Sequence, residues 1–153
     1  MDISPPFEAT KELLALLPLL NRIVATEVRR EVGEDTSMPQ FRVLTLLAAQ
    51  PLTLSTLAKQ RRVSPQSMSE LVQVLVERGW IARLPDPSDR RQSLLQLTEH
   101  GRAQYERATD HMLQRLTPLI GQLSRAELAA VRIALPALHR VLTQEDDDAK
   151  DEH

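Results

Sequence analysis

Cysteine is absent from all 153 residues, which excludes thiol redox sensing, thiolate metal sites and disulfide staples. Glycine occurs four times, too sparsely for a phosphate loop, and no Gly-x-Ser-x-Gly turn is present. The histidines His100, His111, His139 and His153 contain no pair at the i, i+3 or i+4 spacing of a helical metal site. Paired carboxylates in an apolar setting are also missing. These absences leave no motif for an enzyme, a metal or a cofactor. No run of eighteen apolar residues occurs, and the opening MDISPPFEATKE lacks the basic and apolar regions of a signal peptide. The expectation is a cytoplasmic protein with no membrane partner.

Apolar residues make up 42% of the chain, enough for one substantial core. Net charge is −2, but the average hides a segregation. Between Lys59 and Arg91 seven basic residues face four acids, a local excess of +3. From Glu145 to His153 six acids stand against Lys150, and that tail reads as acidic and disordered. A basic centre on a near-neutral scaffold suits local contact with a polyanion.

Glycines and prolines divide the remainder. A first helix is expected from about Phe7 to Val32, interrupted at Pro18. A second follows the capping pair Ser37 and Gln40 and stops before Pro51. A third, short helix follows Thr53, and a fourth starts at Pro65 behind the N-cap Ser64. Two strands, roughly Ile81–Leu84 and Ser93–Leu97, form a hairpin. A long helix then runs from Thr98 to about Ile120, and a last one from the capping box Ser124/Glu127 to about Thr143. Gly33, Gly79 and Gly121 are expected to end helices at positive φ, while Gly101, inside a helical first turn, implies close packing. Residues 1–36 and 98–144 carry far more apolar surface than one small lobe needs, so they read as dimerisation segments around a lobe at 37–97, with the tail at 145–153.

The third and fourth helices have helix-turn-helix spacing. On a helical wheel Met68, Leu71, Val72, Leu75 and Val76 of the fourth helix face inward, leaving Gln66, Ser69, Glu70, Gln73 and Glu77 outward. Glutamine pairs bidentately with adenine, serine serves either base type, and an outward Glu70 can accept from cytosine N4. Ser64 and Ser67 lie where free backbone N–H groups favour phosphate. Arg61, Arg62, Arg78 and Arg90 are left to supply electrostatic affinity. At the hairpin tip, Asp89 pairing with Arg91 would stiffen the turn and leave Arg90 to enter a minor groove.

The stretch GWIARLPDPSDRRQSLLQLTEHG resembles the wing of the MarR (multiple antibiotic resistance regulator) family, whose pattern is filled by Asp89, Arg91, Leu97, Thr98 and Gly101. PQFRVLTLLAAQPLTLSTLAKQRRVSPQSMSELVQVL is similar to that family's helices two to four. The resemblance implies a mostly α fold with a small antiparallel β wing, a winged helix-turn-helix whose N- and C-terminal helices interlock in a homodimer. It further implies a repressor of a palindromic operator in double-stranded DNA, released by a small phenolic or lipophilic effector. Under it, Ser64, Gln66, Ser67, Ser69 and Gln73 match the recognition contacts, Arg90 the minor-groove arginine, and Asp89 and Arg91 the tip pair. Phe41, Trp80 and Arg83 are the residues suited to an effector pocket that holds a carboxylate. Glu70 and Val74 depart from the family by standing where Arg or Lys is common, and Gln92 by replacing a small residue. The alternative reading is a winged-helix module that binds protein through the same lobe without operator binding.

Overall fold

The computed structural model describes residues 4–33, 36–89 and 91–151. Six helices and three short strands follow in the order α1 (Pro5–Val32), α2 (Met38–Ala49), β1 (Leu52–Thr53), α3 (Leu54–Arg61), α4 (Pro65–Glu77), β2 (Ile81–Pro85), β3 (Ser93–Leu97), α5 (Glu99–Ile120) and α6 (Arg125–Asp151). The helix starts follow from local chemistry. Ser37 accepts from the Gln40 N–H while Gln40 returns a bond to the Ser37 N–H, and Ser124 and Glu127 repeat this box. Thr53 and Ser64 cap α3 and α4 through their hydroxyls.

The strands form an antiparallel sheet in the order β1-β3-β2, with Ile81 opposite Leu97, Arg83 opposite Leu95, and Leu52 also opposite Leu95. Strand β1 was not expected. It is two residues long, and its pairing with β3 is set by tertiary packing rather than by any local alternation. Helix α6 continues to Asp151, through most of the segment read as a disordered tail. No glycine or proline lies between Leu142 and Asp151 to stop it. Gly33 and Gly79 take positive φ as expected, whereas Gly121 keeps a helical bond to the Thr117 carbonyl and needs none.

Two compact units divide after Met112. In the first, Val43, Leu44, Leu57, Met68, Val72, Leu75 and Leu95 form a core that water does not reach. Val28 of α1 and Ala108 of α5 are fully buried in the same cluster, so this unit extends beyond the expected lobe boundaries at residues 37 and 97 on both sides. The second unit contains the end of α5 and all of α6, and its Leu119, Ile120, Ile133, Leu135, Val141 and Leu142 are exposed.

The start of α5 is clasped to the end of α4. Thr98 donates its hydroxyl to the Gly79 carbonyl at 2.6 Å and its N–H to the Trp80 carbonyl at 3.0 Å, and its hydroxyl accepts from the Gly101 N–H at 3.0 Å. Gly101 lies directly on the Trp80 main chain, where a β-carbon would come within 2.7 Å of the carbonyl carbon. Replacing Gly101 by Ala overpacks this junction and should cost about 1–3 kcal/mol. Urea unfolding of the variant checks this, with an unchanged midpoint as the contrary result.

Candidate nucleic-acid interface

Helix α4 carries its polar residues outward for the reason its wheel suggests. Met68, Val72 and Leu75 are buried and Leu71 and Val76 are partly so, which fixes the helix rotation and leaves Gln66, Ser67, Glu70, Gln73 and Glu77 in solvent. Ser69 is half-buried. At its N-terminus the Ser64 hydroxyl accepts from the Ser67 N–H at 3.1 Å and donates to the Ser67 hydroxyl at 2.9 Å. Both serines thus lie at the electropositive end of the helix, where an anion is favoured.

The two glutamines are tethered one turn along. Gln66 Nε2 donates to Glu70 Oε1 at 3.3 Å, and Gln73 Nε2 donates to Glu77 Oε1 at 3.0 Å. Glu77 lies on the outward face as expected but was given no partner there, although its i, i+4 spacing from Gln73 is the signal that finds the bond. The outward face consequently presents carboxylate and amide oxygens as acceptors.

Arginines surround this face in different ways. Arg62 ends α3 in the left-handed region at φ 52°, the one non-glycine residue at positive φ among those described. Arg61 is half-buried, and desolvation together with the nearby Arg42 charge lowers the pKa of its guanidinium. Arg42, exposed on α2, was not singled out from sequence because it is distant along the chain. Arg78 has a different task from the one expected. Its guanidinium donates to the Thr36 hydroxyl at 2.9 Å and stacks 5.0 Å from the centre of the Trp80 ring, joining the α1–α2 connection to the end of α4.

The residues assigned to an effector pocket occupy different environments. Phe41 and Trp80 are buried in the core, Phe41 stacked on Tyr105 with ring centres 5.7 Å apart. Arg83 is exposed on β2 and donates from Nη2 to Gln73 Oε1 at 3.4 Å.

In the hairpin the turn is built from carboxylates. Asp86, itself buried, accepts from the Ser88 N–H at 2.8 Å and the Ser88 hydroxyl at 2.6 Å. These bonds, the side-chain one first, hold its carboxyl below the usual aspartate range. Asp89 accepts from the Arg91 N–H at 2.9 Å and from Gln92 Nε2 at 3.0 Å. The expected Asp89–Arg91 pair is therefore made through the Arg91 main chain, as in an Asx turn, while Gln92 supplies the side-chain partner. Arg90 lies outside the described residues. Among the described residues no group of three or more His, Asp or Glu side chains is placed to hold a metal, and no helix is long and apolar enough to cross a membrane.

The chain is similar to known proteins in sequence and in fold. A model of the MarR family matches residues 34–92, from the α1–α2 connection to the wing. An HTH-type transcriptional regulator of Mycobacterium tuberculosis is 31% identical over 106 residues, covering 69% of this chain and 74% of that protein. The crystal structure of RV1404 from Mycobacterium tuberculosis superposes with a TM-score of 0.81 at 32% identity, over 90% of this chain and 94% of that one. FabT of Streptococcus pneumoniae, crystallised in complex with DNA, shares the fold with a TM-score of 0.74 at 21% identity, over 90% and 96% of the two chains.

The Asp86 turn gives a pH-dependent expectation. A carboxyl whose pKa is lowered by folding stabilises the native turn above its unfolded pKa, about 3.9. That contribution is lost as pH falls through the lower folded value. Replacing Ser88 by Ala should move the Asp86 pKa up towards the ordinary range. Carboxyl-carbon NMR titration of the two proteins reads this directly, and coincident curves would show that Ser88 does not hold the carboxylate.

Proposed function

Because the chain belongs to the MarR family of DNA-binding transcriptional regulators, we propose that it works as a homodimeric repressor of a palindromic operator, with α4 in the major groove and the wing tip in the adjacent minor groove. The observation that carries the proposal is the pairing of an outward polar face on α4 with a hairpin whose turn is fixed by Asp86 and Asp89. In this reading Gln66, Ser69, Glu70 and Gln73 meet base edges, and Ser64 and Ser67 meet phosphate. Arg61 and Arg62 supply charge beside the helix N-terminus, and Arg90 enters the minor groove. The left-handed conformation of Arg62 supports a role for its side chain. Glycine adopts that conformation without cost, whereas a side chain there costs about 1–2 kcal/mol.

Dimerisation is supported by apolar surface. Leu16, Leu17 and Leu20 of α1 are 52%, 45% and 45% exposed, and Ile133 and Leu135 of α6 are 75% and 59% exposed. Leucine and isoleucine at such density on long helices are normally covered by a partner. A small aromatic or lipophilic effector would act by binding better to a dimer whose two lobes are spaced wrongly for DNA, which shifts the population off the operator. FabT, with the same fold, crystallises in complex with DNA, which fits this reading.

Duplexes selected from a random pool provide the operator, and fluorescence anisotropy then tests the contacts. Arg90→Ala should cost about 1–3 kcal/mol in operator binding with folding unchanged. Affinity equal to that of the parent protein would remove the wing from the reading, and selection of no duplex would favour a protein-binding module. In light scattering the parent chain should weigh twice its 17.3 kDa. Leu16→Asp combined with Leu20→Asp should return it to one copy. A parent protein that stays monomeric at high concentration would end the dimer proposal.

A further inference from the structure

Side chains of α4 and β2 meet where Arg83 Nη2 donates to Gln73 Oε1 at 3.4 Å, while Gln73 Nε2 donates to Glu77 Oε1 at 3.0 Å. Both atoms that would face an adenine edge, Oε1 and Nε2, hold protein partners here. Arg83 shares its face of β2 with Ile81, which is buried, and stands two residues further towards the wing tip, in solvent. Among the described residues no carboxylate pairs with it.

Duplex geometry says what must lie against this point. Between a major groove and the neighbouring minor groove runs one sugar–phosphate strand. A protein that puts α4 in the first and a wing tip in the second has to cross that strand with the chain that joins them, and the outer half of β2 is that chain. The bond Arg83 makes in the free protein is long, exposed and to a neutral amide oxygen. A phosphate offers two charged oxygens in the bidentate geometry that guanidinium prefers, so the exchange is favourable.

We propose that Arg83 is the phosphate contact at the crossing between the two grooves, and that Gln73 is parked on it until DNA arrives. Taking the phosphate frees Gln73 Oε1 for base reading, so backbone engagement precedes sequence reading at this position. The inference rests on the DNA-binding reading and adds to it a residue that recognises the backbone, together with an order of events.

The test compares the parent protein, Arg83→Ala, Arg83→Lys and Gln73→Ala on the selected operator and on a scrambled duplex, by anisotropy across a salt series. Arg83→Ala should weaken both duplexes alike, on the order of tenfold, and reduce the magnitude of the log–log salt slope by about 0.9. Arg83→Lys should keep the parent slope, because the charge remains. Gln73→Ala should keep the slope and lose part of the preference for operator over scrambled DNA. Unchanged melting of Arg83→Ala, an exposed site, excludes misfolding as the cause. A parent slope retained in Arg83→Ala overturns the proposal, even if the preference between duplexes changes, since Arg83 would then act only by orienting Gln73. A parent protein that binds DNA without salt dependence overturns the wider DNA-binding reading instead.

Discussion

Three elements, α4, β2 and α5, converge on the main chain of Gly79 and Trp80. Their carbonyls accept the hydroxyl and the N–H of Thr98, and the backbone of Gly101 closes over Trp80 with no room for a side chain. This short segment is the end of α4, the start of β2 and the seat of α5 together. The three are fixed by one set of hydrogen bonds from a single threonine and the glycine three residues after it. The angle between α4 and the wing is therefore a property of this clasp and only secondarily of the hairpin itself.

The indole of Trp80 extends the same node in another direction. Arg78 stacks on it and reaches Thr36, which is almost fully buried just after α1 ends. The connection leaving α1 is thereby tied to the residues that end α4. An arginine at this place does structural work that its charge alone would not suggest, and its planar fork makes both contacts at once. In physical terms the first unit is held by a buried aliphatic centre and finished by a few directional bonds at one corner.

Much of this was legible along the chain because it is local. Capping pairs three residues apart, the outward face of α4 and the crowding at Gly101 all follow from spacing that a reader of the sequence can count. What escaped was nonlocal or side-chain specific. Strand β1 exists because β3 offers it Leu94 and Leu95, a partner more than forty residues away. Arg78 and Arg83 look alike as surface cations, yet one lies on a tryptophan and the other beside a glutamine. Asp89 pairs with a backbone N–H where a guanidinium was expected, since a short turn brings the main chain closer than the end of a long side chain. The tethers of Gln66 and Gln73 follow from the i, i+4 spacing to Glu70 and Glu77 that the same wheel displays.

On the DNA-binding reading proposed above, Glu70 and Glu77, bonded to those glutamines, give the outward face of α4 a negative edge towards a polyanion. On arbitrary duplex such an edge is repelled by phosphate, and the gain from amino groups at correctly placed bases is absent. Encounters away from the target are therefore brief. In a chromosome crowded with competing sites, a repressor built this way would spend less of its time on the wrong ones, so the acids would exchange general grip for discrimination.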